Sequence, residues 1–348
     1  MEDFGTDSRM QTRECSGLHD RVKGAKTTER PIKAHPRAYH GIFTPFPAFH
    51  SLHSPLCASF QDSESPVKLP VKIRIKIQTH SKTLKKPKIS VITPAFNSAA
   101  TITDTIESVL TQSYPCVEHV IVDGGSTDGT VDIIRRMERH YEGCLRWVSE
   151  PDGGLYDAMN KGIRMATGDV VGILNSDDFF TDEKSLKTVA DAFGNDTDAV
   201  FGNLKFVGRE DTEKVMRIWK GSPYRSFRKG WHPGHPTFYA KKSLYQDFGG
   251  FNTAFRIAAD FELMLRFIEK NRIRTRYLDR CLVDMRVGGT STRSLRNIIE
   301  GNREVMRAFT VNGIKVSPLY PLMRLLPKIH GLFTHNLLST LLSDRGNG

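Results

Sequence analysis

Val170-Val171-Gly172-Ile173-Leu174 is a short apolar run that leads directly into Asn175-Ser176-Asp177-Asp178. A run of this length with polar flanks is typical of a strand buried on both faces of a parallel sheet. Three similar runs precede it, at residues 89–93, 117–122 and 145–149. Stretches of helical period separate the runs, so strand and helix alternate over about 90 residues. This order predicts an α/β fold with a doubly wound, mostly parallel sheet and flanking helices.

The polar residues of this segment cluster at the predicted strand ends. They follow Thr93, Val122, Ser149 and Leu174. In doubly wound sheets, ligands bind beyond the carboxyl ends of the strands. The sequence therefore predicts a single site at that edge of the sheet. Beyond Asp178 the pattern is mixed, with helices predicted at 184–193, 260–268 and 294–309 and strands at 199–203 and 214–219.

The charge of the chain is unevenly distributed. The formal net charge is +11, with 16 Lys and Arg against 8 Asp and Glu in residues 1–88, and 15 against 6 in residues 266–348. Residues 89–265 carry 19 against 25, so the predicted sheet domain is acidic between basic flanks. Basic flanks suit nucleic acid, an anionic membrane surface or plain solvation. The sequence has no zinc-finger spacing, basic heptad helix or RNA-binding strand signature, so no nucleic-acid partner is predicted.

Composition divides the chain into three parts. Residues 1–87 are basic and lack an apolar period, apart from an alternating run at 71–77. This composition predicts a disordered or poorly ordered N-terminal extension. The alternative is that the start codon has been placed too far upstream. Residues 88–290 form the predicted sheet domain. Residues 291–348 are predicted to be a helical, basic and apolar tail. Residues 320–342 of this tail suit either a peripheral helix on an anionic leaflet or a C-terminal core helix.

The cysteines indicate a cellular compartment. Their number, five, is odd, and they are scattered along the chain, which argues against a disulfide framework and against structural zinc.

The first residues show no signal-peptide-like apolar stretch, and no window of about 18 apolar residues occurs. The sequence therefore predicts a cytoplasmic protein that is not integral to a membrane, with the tail as a candidate contact to the inner face of the cytoplasmic membrane.

The adjacent carboxylates Asp177 and Asp178 predict a metal site. They repel each other unless a positive charge lies beside them. A divalent metal ion that takes oxygen ligands and also binds phosphates is the usual solution. The alternative is a helix-capping turn, because Asp178 or Thr181 could begin the next helix. The position of the pair at a strand end favours the metal.

A nucleotide is the ligand that the other strand ends suggest. Asp123 precedes a Gly-Gly-Ser-Thr-Asp-Gly turn, where its carboxylate could accept the ring N–H of a pyrimidine base or simply close the turn. Phe96, in the turn Pro94-Ala95-Phe96-Asn97, could stack on that base or belong to the core. Asp152 opens the next helix, and Asn160 and Lys161 follow along it; Lys161 could neutralise a diphosphate or lie on a solvated face.

A general base is expected near residue 260. Spacing does not choose between Asp260 and Glu262, although Glu262 is expected on the helix surface. His232 and His235 flank Pro233-Gly234 in a loop, where either could bind a metal or an acceptor.

Taken together, residues 88–290 resemble family-two glycosyltransferases of the GT-A fold, and are most similar to bacterial enzymes of O-antigen and exopolysaccharide assembly. The resemblance rests on ordered motifs at residues 89–97, 122–130, 152–162 and 174–178, on the His235 segment and on Asp260.

The resemblance implies an inverting transfer from a nucleotide-diphosphate sugar, with a UDP-sugar favoured, to a glycan or lipid-linked acceptor. It implies that Asp123 holds the base with Phe96 stacked on it, that Asp177 binds Mn²⁺ or Mg²⁺, and that Asp260 is the catalytic base. His235 is a weaker candidate for acceptor or metal binding. The residues predicted to bind the nucleotide sugar are Pro94, Phe96, Asn97, Asp123, Asp152, Asn160, Lys161 and Asp178.

The chain departs from the family pattern at three positions. Asn175 stands where the metal motif usually has Asp, Met159 where many relatives have Arg, and Ala259 where the residue before the base is often Glu. These departures leave fewer charged ligands and leave diphosphate neutralisation to Lys161 or the metal.

Other classes fit less well. No Gly-x-Gly-x-x-Gly follows the first strand, as a dinucleotide-dependent oxidoreductase would require. Pro94 stands where an aspartyl phosphatase would have its nucleophile, and no Gly- and Lys/Arg-rich triphosphate loop indicates a nucleotidyltransferase. The remaining alternative is a catalytically degenerate sugar-nucleotide binding module of a polysaccharide assembly complex.

Overall fold

The computed structural model describes residues 86–288 and 295–321, except for the side chain of Leu295. The predictions for residues 1–85, including the alternating run at 71–77, and for the tail from residue 322 onward lie outside the described residues.

Strands and helices alternate through the first half of the described chain, as predicted. The elements are β1 (Ile89–Ala95), α1 (Ile102–Leu110), β2 (Val117–Asp123), α2 (Thr130–Glu138), β3 (Leu145–Ser149), α3 (Leu155–Met165) and β4 (Val170–Ile173). The second half contains β5 (Phe179–Phe180), α4 (Ser185–Ala192), β6 (Ala199–Val207), β7 (Val215–Trp219), β8 (Tyr239–Lys241), α5 (Lys242–Phe248), α6 (Ala259–Met264), β9 (Thr275–Arg286) and α7 (Leu295–Val311).

The register of the parallel strands brings their carboxyl ends together. β1 lies between β2 and β4, and β3 pairs with the other side of β2, all in parallel. Ala95 is paired with Asp123, and Asp123 with Ser149. The turns that follow these strands therefore lie side by side at one edge of the sheet, which is where a doubly wound sheet binds ligands.

The second half of the sheet is mixed. β8 connects the halves because it runs antiparallel to both β4 and β6. β9 is parallel to β6 and antiparallel to β5, giving the order β3-β2-β1-β4-β8-β6-β9-β5, with β7 paired to β6. β5, β8, β9 and α5 were not predicted. β9 lacks a clear sequence signal because charged residues at 276, 279 and 280 interrupt its apolar pattern.

Helix α3 lies unusually close to the sheet. A Cβ atom placed on Gly162 would be 2.3 Å from the Cγ2 atom of Ile92 in β1, closer than a real Cβ contact. The glycine therefore permits the helix to approach the strand. Because α3 connects the carboxyl end of β3 to β4, its N-terminal end lies at the edge where the parallel strands end.

Helix α7 packs into the same hydrophobic core as α6. Phe309 of α7 contacts Phe261 of α6, with 5.7 Å between ring centroids, and Tyr320, with 4.9 Å. Phe309 and Tyr320 are both buried. The first part of the predicted C-terminal tail, through Tyr320, is thus built into the core. None of the helices in the two described ranges is long and apolar enough to cross a membrane.

His119 is a buried histidine in the middle of β2. Its Nδ1 lies 2.8 Å from the hydroxyl of Tyr141 and its Nε2 lies 2.9 Å from that of Thr93. Because the Tyr141 hydroxyl donates to the carbonyl of Ile106, Nδ1 carries the ring proton and Nε2 accepts from Thr93. Burial lowers the pKa of His119 to about 3.

This histidine predicts a loss of stability in mild acid. Its folded-state pKa lies below its ordinary value of 6.5, so its contribution is complete above pH 6.5 and declines as the pH falls toward 3. We expect about 2 kcal/mol of this group's contribution to be lost between pH 7 and pH 5. Urea unfolding at both pH values should show the loss in the wild type and in a His140→Gln control, and a smaller loss in His119→Gln. Equal pH dependence in all three would contradict the prediction.

Candidate active site

Hydroxyl groups join the turns that follow β1 and β4. Ser98 Oγ lies 2.7 Å from Ser176 Oγ, and Thr101 Oγ1 donates to the carbonyl of Ser176 at 2.8 Å. The turn after β2 is attached to the same group, because the Ser98 N–H donates to Thr130 Oγ1 at 2.8 Å. Three strand-end turns therefore form one continuous rim, as the single predicted site requires.

Asp123 is fully buried beneath the turn that follows β2. Its Oδ2 accepts from the N–H groups of Gly125 and Ser126 and from Ser149 Oγ, at 2.7–3.1 Å. Its Oδ1 accepts from Ser126 Oγ at 2.5 Å. The carboxylate thus closes the turn and connects it to β3, and in this conformation it presents no surface to solvent.

Asp152 supplies a more accessible carboxylate at the same corner. Its Oδ2 would be 2.7 Å from a Cβ atom placed on Gly124, so it lies directly over the residue after Asp123. Its Oδ1 accepts from the Gly154 N–H at 2.8 Å. A Cβ atom at position 124 would require this carboxylate to move. The Asp152 side chain is half-buried rather than enclosed.

Phe96 and Asn97 lie on the rim, whereas Pro94 does not. The Phe96 ring is 64% exposed, so its face is open to a ligand. Asn97 has a left-handed backbone conformation, with φ of 47°, and bridges to the next turn by accepting from the Thr127 N–H at 3.0 Å. Pro94 is buried within β1, opposite Val122.

The polar residues of α3 are engaged within the protein. Asn160 pairs with the backbone of Phe251, donating to its carbonyl and accepting from its N–H, both at 2.8 Å. Lys161 Nζ lies 3.0 Å from Glu150 Oε1 and donates to the carbonyl of Pro151 at 3.1 Å. The hydrogen bond to Glu150 raises the pKa of Lys161. Both residues therefore attach α3 to neighbouring loops.

The two carboxylates of the Asn175–Asp178 turn lie in different environments. Asp178 is 1% exposed, accepts from Asn175 Nδ2 at 3.1 Å and accepts from the Arg286 N–H at 3.2 Å. Burial, and then the charge of Asp177, raise the pKa of Asp178. Asp177 is only half-buried, so its carboxylate is the one that a ligand can reach.

Arg286, at the end of β9, supplies the positive charge beside this turn. It is 4% exposed, and it donates from Nη1 to the Asp177 carbonyl at 2.7 Å and from Nη2 to Asp104. Its guanidinium lies over the Phe179 ring at 5.0 Å. The sequence offered no signal for this residue, since it lies far along the chain on a strand that was not predicted.

The buried position of Arg286 predicts a large effect on stability. Arg286→Gln should lower the free energy of unfolding by about 2–3 kcal/mol, because hydrogen bonds from a charged donor are lost in a buried site. Arg280→Gln, on the same strand, removes a more exposed pair with Asp182 and should cost less than about 1 kcal/mol. Urea unfolding of the two variants measures the difference. Equal losses would show that the Arg286 contacts are not the stabilising ones.

The donor set at this turn fits a divalent cation that also binds phosphate. Asn175 Oδ1 is buried and has no hydrogen-bond partner within the described residues, and Asp177 provides an accessible carboxylate. Mg²⁺ and Mn²⁺ take oxygen ligands and often use one or two protein groups together with substrate phosphates. No group of three or more His, Cys, Asp or Glu suited to a metal ion occurs within residues 86–288 and 295–321. Asn175 and Asp177 therefore suit an ion that the phosphates of a ligand help to hold.

Asp260 and His235 form a pair on the other side of α3. His235 Nδ1 lies 3.2 Å from Asp260 Oδ2, and both side chains remain partly exposed. The hydroxyl of Tyr156 in α3 lies 3.5 Å from Asp260 Oδ1 and donates to the carbonyl of Ile257 at 2.8 Å. Burial raises the pKa of Tyr156, so its hydroxyl stays protonated. Residues distant in sequence thus meet at one carboxylate.

A small cavity, partly open to solvent, adjoins this pair. Met159, Ile173, Phe251 and Met264 contribute apolar walls, and among the described residues Asp260 is the only carboxylate that lines it. A partly exposed carboxylate beside apolar surface and an imidazole is suited to remove a proton from a hydroxyl group.

The structure corrects the expectation for Glu262. This residue was predicted on the helix surface, but it is 2% exposed. Its carboxylate pairs with Arg266 at 2.9 Å and accepts from Asn312 Nδ2 at 2.9 Å. The prediction was wrong because α7 and the residue that follows it cover this face of α6. Asp260 is therefore the carboxylate of α6 that faces the cavity.

The fold is shared with solved glycosyltransferases. A TM-score of 0.52 relates the chain to residues 1–349 of S. aureus TarS in complex with UDP-GlcNAc, at 22% identity over 67% of this chain and 69% of that one. The same score relates it to the mannosyltransferase PcManGT from Pyrobaculum calidifontis in complex with GDP-Man and Mn²⁺, at 24% identity over 76% of this chain and 77% of that one. These similarities confirm the predicted GT-A type of α/β fold.

Sequence comparison defines the family. The model for glycosyl transferase family 2 matches residues 90–260. An uncharacterized glycosyltransferase of Mycobacterium tuberculosis is 35% identical over 185 residues, which are 52% of this chain and 68% of that protein. The putative teichuronic acid biosynthesis glycosyltransferase TuaG of Bacillus subtilis is 43% identical over 102 residues, 29% of this chain and 40% of that one. The chain belongs to glycosyltransferase family 2.

Proposed function

We propose that the chain transfers a hexosyl group from a UDP-sugar to a hydroxyl of a glycan or lipid-linked acceptor, inverting the anomeric configuration. Family membership supports sugar transfer, and the fold is that of TarS, which was solved with UDP-GlcNAc. The similarity to TuaG, a putative teichuronic acid biosynthesis glycosyltransferase, supports a role in the synthesis of a cell-surface polysaccharide. The reaction would take place in the cytoplasm, at the inner face of the membrane where a lipid-linked acceptor is presented.

The observation that carries the proposal is the Asp260–His235 pair beside the cavity. In this reaction Asp260 takes the proton of the acceptor hydroxyl, and the oxygen attacks the anomeric carbon from the face opposite the diphosphate. The bond from that carbon to the diphosphate oxygen breaks, and UDP leaves with the electron pair. His235 Nδ1 lies 3.2 Å from Asp260 Oδ2 and the Tyr156 hydroxyl lies 3.5 Å from Oδ1, so both groups would help to orient the carboxylate toward the acceptor.

The rim residues would hold the donor. Phe96 offers an exposed ring on which the base can stack, and Asp152 offers a carboxylate over Gly124. Asp123 would act through the turn that it closes, unless binding releases one of its hydrogen bonds. Asn175 and Asp177 would hold Mn²⁺ or Mg²⁺. The bound ion would supply positive charge to stabilise the departing diphosphate.

The function is tested by measuring release of nucleoside diphosphate from UDP-glucose, UDP-N-acetylglucosamine, UDP-galactose and GDP-mannose, with Mn²⁺ and with EDTA. We expect metal-dependent release from a UDP-sugar, and NMR of the transferred sugar should show an inverted anomeric centre. Binding of UDP-sugars without release from any donor would instead indicate a degenerate sugar-nucleotide binding module. Retention of configuration would refute the direct displacement.

A further inference from the structure

Glu304 of α7 accepts hydrogen bonds from three consecutive backbone N–H groups. Its Oε1 accepts from Arg256, and its Oε2 accepts from Ile257 and Ala258, all at 2.8 Å. The side chain is 6% exposed, so these bonds form away from bulk water. A buried carboxylate that receives three short bonds holds its backbone segment firmly, because each bond to a charged acceptor is strong.

The segment that Glu304 holds leads directly into α6. Ala258 is the residue before the first residue of that helix. It occupies the N-cap position, and its side chain makes no capping hydrogen bond. The first N–H groups of a helix lack partners within the helix and need another acceptor. Glu304, from a different helix, is the acceptor for one of these groups, the N–H of Ala258, and for the two N–H groups before it. Consecutive backbone N–H groups that point at one acceptor are of the kind that binds anions.

The other side of the same segment is held by α3. The Tyr156 hydroxyl donates to the carbonyl of Ile257, whose N–H donates to Glu304. The peptide groups on both sides of Ile257 are therefore fixed, one by α3 and one by α7. Asp260 follows two residues after Ala258, on the first turn of α6. Its direction toward His235 depends on the path of this clamped segment.

We infer that Glu304 is a positioning residue for Asp260, acting through the backbone of residues 256–258. The inference rests on the proposed role of Asp260 as the base. It makes α7, which lies beyond the family match at residues 90–260, part of the frame of the active site. A misplacement of about 1 Å in a reacting group can cost about 100-fold in rate, so a loose segment should slow the transfer step.

The test compares Glu304→Gln and Glu304→Ala with Glu300→Gln in the full chain. Glu300 lies one turn earlier on α7, and its carboxylate is about half exposed, 3.5 Å from Arg303. We expect kcat for the best donor of the panel to fall about 10-fold in Glu304→Gln, whose amide oxygen still accepts, and about 100-fold in Glu304→Ala. KM for the donor and the Kd of UDP with Mn²⁺ should stay near wild type, as should every property of Glu300→Gln.

Circular dichroism and thermal unfolding separate positioning from loss of fold. The inference is overturned if folded Glu304 variants keep the wild-type kcat, or if kcat falls only in proportion to the folded fraction. It is also overturned if KM and the Kd of UDP rise as much as kcat falls. Asp260→Asn, measured in parallel, tests the proposed function separately. If it remains active, the assignment of the base fails; if it is inactive while folded Glu304 variants are normal, only the positioning role fails.

Discussion

Asp260→Asn is expected to lower the rate of sugar transfer by about 1,000-fold while leaving the fold and the affinity for UDP unchanged. The carboxamide has nearly the same shape as the carboxylate but cannot take a proton from the acceptor hydroxyl. Removal of a positioned general base costs about 100- to 10,000-fold. The effect should appear in kcat, because Asp260 lies beside the cavity and not on the rim proposed to hold the nucleotide.

The control for this variant is Asp247→Asn. Asp247 is an exposed carboxylate on α5, outside the cavity lining, so its replacement should not change turnover. Steady-state kinetics with the donor identified by the panel, together with UDP binding in the presence of Mn²⁺, measure both variants. A folded Asp260→Asn protein with more than about a tenth of the wild-type kcat would rule out the proposed base, since that loss is below the range for such a group.

Asp177→Asn should lower transfer by at least about 100-fold and weaken the effect of Mn²⁺ on UDP binding, since metal-assisted charge stabilisation contributes several kcal/mol. Asp177 is the accessible carboxylate of its turn, whereas Asp178 is enclosed and hydrogen-bonded within the protein. With Asn at both 175 and 177, no accessible carboxylate would remain in the turn to hold the ion. The concentration of Mn²⁺ that gives half-maximal activity should rise accordingly.

Isothermal titration of UDP with and without Mn²⁺ gives a measurement that does not depend on turnover. In the wild type Mn²⁺ should tighten UDP binding, and in Asp177→Asn this gain should largely disappear. Asp132→Asn, an exposed carboxylate on α2 that pairs with Arg135, should behave as the wild type. If Mn²⁺ tightens UDP binding equally in Asp177→Asn, the metal is held elsewhere and the assignment of this turn is wrong.

Several candidate site residues could be proposed from the sequence because their signals are local. The Asn175–Asp178 turn follows an apolar run, and Phe96 follows the run that forms β1. Their types and positions indicate chemistry at a strand end, whatever the remainder of the chain does. The roles of Asp123, Asn160 and Lys161 were harder to predict from the sequence. The structure shows each bonded to neighbouring protein groups, which no spacing rule predicts.

Arg286, Tyr156 and Glu304 could not be assigned from the sequence, because their effects depend on contacts between distant segments. Arg286 reaches the acid turn only because β9 lies beside β5, and Glu304 reaches residues 256–258 only because α7 packs on α6. The prediction that Glu262 lies on the helix surface was wrong for the same reason. The helical period of α6 does not reveal that a second helix covers its polar face.

By itself the sequence determined the alternation of strands and helices, the edge at which polar groups gather and the acidic turn Asn175–Asp178 at that edge. It could do so because strand and helix periods, and the residues that end them, are properties of short segments. Only the tertiary structure decided which carboxylate of each pair is accessible, which cation lies beside the acid turn and what holds Asp260 toward His235. These depend on burial and on hydrogen bonds across the whole domain, and both exist only once the distant segments have packed together.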